Sequence, residues 1–108
     1  MTISERRHDI RLAIEMFVDE SREGELYFQR TANLSRGGMY LEHTIPHPVG
    51  TVVQLAFKLP GDSETLRARA EIVNAATDLG SLGMGLKFID PPPAMIDKIE
   101  AFISKMTK

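Results

Sequence analysis

From Leu12 onward the chain alternates. Leu12, Ile14, Met16 and Val18 fall on one side, and Ala13, Glu15, Phe17 and Asp19 fall on the other. A period of two predicts a strand with one buried face. Asp19 to Gly24 reads as a charged turn, and Glu25 to Ala32 as a second strand with Leu26, Phe28 and Ala32 on one side. The two predict an antiparallel hairpin. Asn33 to Gly38 interrupts the alternation with residues that favour turns, and Met39 to His43 follows as a short strand. After a proline-punctuated loop, Ile45 to Gly50, alternation resumes at Val53, Leu55, Phe57 and Leu59 and stops at Pro60-Gly-Asp. Leu66, Ala68, Ala70 and Ile72 then face away from Arg67, Arg69 and Glu71. Asp78 to Gly83 turns the chain, and Met84 to Ile89 is the last predicted strand.

Beyond Asp90 and three prolines the period changes to that of a helix. Met95, Ile96, Ile99, Phe102, Ile103 and Met106 form one apolar stripe, with Asp97, Lys98, Glu100 and Lys105 off it. Proline suits the first turn, where backbone donors have no intrahelical partner. Short strands separated by turns predict an all-β domain, a small antiparallel barrel of about six strands, because closure removes exposed edges. The C-terminal helix should lie against it. At 108 residues the chain is expected to be a single domain, with residues 1–11 as a mobile, arginine-bearing arm and 12–108 as barrel plus helix.

Composition narrows the function. With 43% hydrophobic and 26% charged residues the chain is an ordinary globular one. A formal charge of -2 argues against coating a nucleic acid polymer, which requires a basic face. Cysteine is absent, so neither disulfides nor thiol chemistry are available. No run approaches the roughly 18 apolar residues that span a bilayer, and the first residues lack an apolar signal core. A soluble cytoplasmic protein without membrane insertion is the expectation.

The candidate chemistry lies in two polar motifs. Arg7-His-Asp-Ile-Arg11 reads R-x-x-x-R and is preceded by Arg6, and Asn33-Leu-Ser35-Arg-Gly-Gly38 reads N-x-S-x-x-G. Guanidinium forks pair with phosphate oxygens or with the O6/N7 edge of guanine. An amide reads a base edge, a hydroxyl adds a polar contact, and glycine allows close backbone approach. The set suits a small anionic nucleotide.

In this order and separation the motifs resemble the signature of the PilZ domain, the bacterial receptor module for cyclic di-GMP. Gly83-Met-Gly-Leu-Lys-Phe88 and the helical tail resemble that family's closing strand and helix, extending the likeness over residues 5 to 106. The resemblance implies a PilZ-like barrel that binds cyclic di-GMP, needs no other cofactor, and signals to a downstream protein by changing shape. It assigns Arg7 and Arg11 to a clamp, Asn33, Ser35 and Gly38 to a platform, and Arg6 to an influence on whether one ligand or a stacked pair is held. Asn33 stands where the family also uses aspartate. A rival expectation is a PilZ-like adaptor that binds no nucleotide and works through protein contacts, for instance in motility.

Enzymatic readings find little support in the sequence. Ser35 sits in no G-x-S-x-G elbow, no motif links His8 to it, and Gly37-Gly38 is followed by no G-K-S/T. His43 and His47 have H-x-x-x-H spacing, but Pro46 disrupts a helical presentation.

Overall fold

The computed structural model describes residues 10–107. Among these residues lie seven β-segments and one helix: β1 (Leu12–Ala13), β2 (Phe17–Arg22), β3 (Glu25–Ser35), β4 (Gly38–Glu42), β5 (Val52–Phe57), β6 (Leu66–Ala76), β7 (Gly83–Ile89) and α1 (Pro93–Met106). The sheet order is β1-β3-β2-β5-β6-β7-β4, and β4 returns to pair with β3. All pairings are antiparallel, so six strands close into the expected barrel.

β1 and β2 are one bent strand along the same edge of β3. The predicted run from Leu12 has the right faces, since Met16 and Val18 are buried and Leu12 and Ile14 half-buried, but it breaks at residues 14–16. Thr31 closes the break. Its buried hydroxyl accepts from Met16 N at 3.0 Å and donates to the Ile14 carbonyl at 2.7 Å, satisfying backbone groups that the ladder leaves free.

Two readings of the first hairpin are corrected. The charged turn at 19–24 is smaller: β2 runs on to Arg22, and only Glu23 and Gly24, both at positive φ, form the turn. The strand survives its charged residues because Glu20 points inward, fully buried, with Gln29 Nε2 2.9 Å from Oε1 and His47 Nε2 2.6 Å from Oε2. On β3 the inner face is not Leu26, Phe28 and Ala32. Gln29 and Thr31 point in, whereas Phe28 is 79% exposed and Leu26 54%. A register set by Glu20 and Thr31 outweighs the hydrophobicity of Phe28, because a one-residue slip would leave those buried polar groups unpartnered.

The remaining elements follow the alternation. Val53, Leu55 and Phe57 of β5, Leu66, Ala68, Ala70 and Ile72 of β6, and Met84, Leu86 and Phe88 of β7 line one core. α1 begins on Pro93 and seals that core with Met95, Ile99, Phe102 and Ile103. Two polar contacts fix it. Lys98 Nζ reaches Asp62 at 2.6 Å and Glu64 at 2.8 Å, tying the helix to the β5–β6 loop, and Glu100 accepts from Arg36 at 2.7 Å. Lys98 holds the Asp62 carboxyl below its ordinary value by hydrogen bonding, and the two carboxylates raise the Lys98 ammonium.

Candidate functional site

β3 carries the second motif, and the motif is less of a loop than its composition predicts. Asn33, Leu34 and Ser35 remain in the strand, pairing with Tyr40, Met39 and Gly38 of β4, so the turn shrinks to Arg36 and Gly37. Ser35 makes this possible. Its buried hydroxyl accepts from Gly37 N at 3.2 Å and donates to the Gly38 carbonyl at 3.3 Å, using the turn's own polar groups. The turn is then pressed onto β7, where Phe88 N donates to the Gly37 carbonyl at 2.8 Å. At Gly38 the two backbones approach so closely that a Cβ would lie 1.9 Å from the Leu86 carbonyl oxygen. Only glycine fits that contact.

Asn33 faces outward beside the chain entering from the N-terminus. The pairing of Ala13 with Asn33 brings Arg11 alongside, and Arg11 Nη1 donates to Asn33 Oδ1 at 2.7 Å. Residues 22 positions apart are thereby joined, one from each motif. Arg11 remains exposed, with further guanidinium donors for an anion. Arg6 and Arg7, together with most of the predicted arm, lie outside the described residues.

The surface around this contact is one cross-strand row. Asn33 of β3 lies opposite Tyr40 of β4, Tyr40 opposite Gly85 of β7, and Gly85 opposite Asn74 of β6. Gly83 and Gly85 leave room for these side chains. A Cβ at Gly83 would fall 2.7 Å from the Tyr40 ring, and one at Gly85 would fall 2.8 Å from the Asn74 amide. At a bulge in β6, Asn74 Oδ1 accepts from Gly85 N at 3.1 Å, its side chain replacing a ladder partner. Arg30 and Glu42 flank the row, with Arg30 Nε 3.2 Å from Glu42 Oε2 but not aligned as a hydrogen bond.

A family model, "PilZ domain", matches residues 5–105, nearly the whole chain. The chain belongs to the PilZ domain family. No curated protein matches it. Among solved structures, this PilZ domain is similar to the Bacillus subtilis inhibitor of motility MotI/DgrA, with a TM-score of 0.78 and 18% identity over 94% of this chain. It spans about half, 52%, of that protein. It is also similar to the PilZ domain of CeSA from a cellulose-synthesizing bacterium, with a TM-score of 0.68 and 16% identity over 92% of this chain and 99% of that one. At these identities the likeness establishes the fold.

Within the PilZ fold the predicted site residues divide by what they touch. Arg11 and Asn33 meet on the open surface, whereas Ser35 and Gly38 are spent on the turn that aims Asn33. Tyr40 and Asn74 were not among the predicted site residues, and only register brings them into the row with Asn33. The alternating glycines of Gly83-Met-Gly85 were the available signal, because two bare positions on one strand face invite neighbouring side chains to lie across them. The described histidines lie elsewhere: His47 is held by Glu20, and His43 is exposed at a positive φ. Among the described residues, no group of His, Cys, Asp and Glu could hold a metal ion, and no helix is long and apolar enough to cross a membrane.

Proposed function

We propose that this PilZ domain is a non-enzymatic receptor for cyclic di-GMP, working in the cytoplasm and acting on a downstream protein. The observation that carries the reading is the Arg11–Asn33 contact, which unites the two motifs on an exposed, glycine-floored sheet surface. In this reading Arg7 and Arg11 clamp the phosphates and one guanine face, since guanidinium keeps its charge at every physiological pH and matches phosphate geometry. Asn33 contacts guanine from the barrel side. Ser35 and Gly38 serve the same ligand by fixing the turn, and Arg6 adds charge against a second, stacked nucleotide. Closing residues 1–11 over the ligand costs conformational entropy, and the ordered arm with its ligand forms a new surface for the partner. Isothermal titration with cyclic di-GMP tests this, with GMP and ATP as controls. Saturable binding of the cyclic dinucleotide alone is expected, and no heat at high micromolar ligand overturns the proposal.

A second reading is an adaptor that acts on protein partners without nucleotide, as in motility. It is favoured by one observation: the Arg11 guanidinium already has a protein partner in Asn33 Oδ1. The same titration separates the two, because an adaptor of this kind gives no nucleotide signal.

A further inference from the structure

The two phenylalanines left in water lie together on the flank of the barrel formed by β2 and its neighbours. Phe17 is 82% exposed, Phe28 is exposed beside it, and the two rings line one groove, with Leu26 exposed further along β3. Register explains why Phe28 faces outward, but it gives no reason for an aromatic ring at that position. A patch of this kind marks a contact surface.

The flank is also divided by charge. β2 and β5 lie across the ring from β4 and β7, and the outward residues of β3, β2, β5 and β6 form two cross-strand rows. One row runs Phe28, Asp19, Ala56, Arg67, and the next runs Leu26, Ser21, Gln54, Arg69. Asp19, Arg67 and Arg69 are exposed and make no ion pair among the described residues. Rings and acid thus occupy the half on β3 and β2, and unpaired guanidinium groups the half on β6. Ala56 is the small residue between Asp19 and Arg67, and it floors the two grooves that those residues border.

Such a surface complements itself in one orientation. A two-fold axis along the strands, between β2 and β5, lays β3 of one copy over β6 of the other and keeps the rows in step. Phe28 then meets Arg67 of the partner subunit, ring face to guanidinium, and Leu26 meets the apolar stem of Arg69 of the partner subunit. Asp19 lands over the Ala56 groove, next to that same guanidinium. Every contact occurs twice. A two-fold axis across the strands would instead set Asp19 on Asp19 and Arg67 on Arg67, so charge selects the first orientation.

We propose that this flank is a homodimer interface, in which the Phe17 and Phe28 strip of one chain packs on the Arg67 and Arg69 strip of a second copy. Four strands about 4.8 Å apart, each contributing five residues of about 3.4 Å, give a footprint of roughly 19 by 17 Å. That falls short of the roughly 800 Å² per partner of a standard interface, so the dimer is weak and reversible. β4 and β7 stay uncovered, and no nucleotide is needed.

Sedimentation equilibrium of the ligand-free chain, from low micromolar to millimolar concentration, tests this. A monomer–dimer equilibrium is expected. Phe28→Ser removes two ring–guanidinium contacts per dimer and should weaken association by roughly 5- to 30-fold. Asp19→Lys and Arg67→Glu each set like charges together at both ends of the interface, and each should dissociate the dimer. Mixed in equal amounts, these two variants should associate more tightly than either does alone, because one pairing keeps Asp19 with Arg67 and the other has its charges exchanged. The three side chains are exposed, so the thermal midpoints should match the wild type. A wild type that stays monomeric at millimolar chain overturns the proposal and leaves the strip to a different partner. A dimer indifferent to the three substitutions overturns it too, as does a mixture that associates no better than its components.

Discussion

Replacing Gly38 with alanine separates what the second motif does for the fold from what it does for a ligand. The new Cβ would sit 1.9 Å from the Leu86 carbonyl oxygen and 3.2 Å from Lys87 Cα, both backbone atoms that no rotamer change can move. Reaching even a tight contact of about 3.0 Å demands a displacement of about 1.1 Å between β4 and β7. A ladder bond near 2.9 Å stretched that far is lost. Overpacking costs about 1–3 kcal/mol, and one broken ladder bond adds about 0.5–1.5 kcal/mol. Together these give roughly 2–4 kcal/mol, or a fall of roughly 10–20 °C in the thermal midpoint of a domain this size. Differential scanning calorimetry of the ligand-free variant reads it directly. A midpoint within about 2 °C of wild type would refute the reasoning and leave Gly38 as a ligand contact rather than a packing requirement.

The arginines should behave in the opposite way. Arg7→Ala and Arg11→Ala each remove a charge-assisted contact worth about 1.5–3 kcal/mol, so cyclic di-GMP weakens by about 10- to 150-fold while the ligand-free midpoint barely moves; unfolding of either variant without ligand would make the residue structural. The proposed role of Arg6 is in stoichiometry: native mass spectrometry at saturating ligand should find two ligands on the wild type and a shift towards one in Arg6→Leu, because a third guanidinium offsets the repulsion of four phosphate charges. Equal stoichiometry in the two proteins would remove that role. The Lys98 tie makes stability depend on pH at both extremes. The depressed Asp62 group contributes above its ordinary value and loses that contribution as acid protonates it, and the raised Lys98 group loses its own as alkali passes its elevated value. Melting curves of Lys98→Met and wild type should therefore differ near neutrality and converge as acid protonates Asp62 below the ordinary carboxylate range, whereas a constant gap across that range would contradict the assignment.

How far the sequence revealed this arrangement depended on where polar groups found partners. β5, β6 as far as Ile72, β7 and α1 were legible because their apolar residues keep one period, two in the strands and that of a helix in α1, and find their partners in the core. β2 was cut short in the reading since Glu20 looks like a turn residue until Gln29, nine positions on, and His47, 27 positions on, are folded beside it. The face of β3 was inverted for the same reason: the buried Thr31 hydroxyl and Gln29 amide fix its register, and Phe28 goes outward. Of the site, the motif residues were readable as types and spacings, and the structure joins Arg11 to Asn33 across them. Tyr40 and Asn74 were not, because their place in the row depends on pairings between β3, β4, β7 and β6 that no local pattern encodes.

Closure of the barrel limits how it can respond to anything that lands on it. The strands bearing Asn33, Tyr40, Gly85 and Asn74 are each laddered on both edges, so widening the row in one place would tear bonds on both flanks at once. Such a surface is an anvil rather than a hinge. Motion of large amplitude is left to chain outside the ring, which among the described residues means α1, whose polar ties run through Arg36 and Lys98 at the protein surface. Amide exchange should then stay slow along β4 and β7 with or without an occupant, and any change in exchange among the described residues should be concentrated in α1.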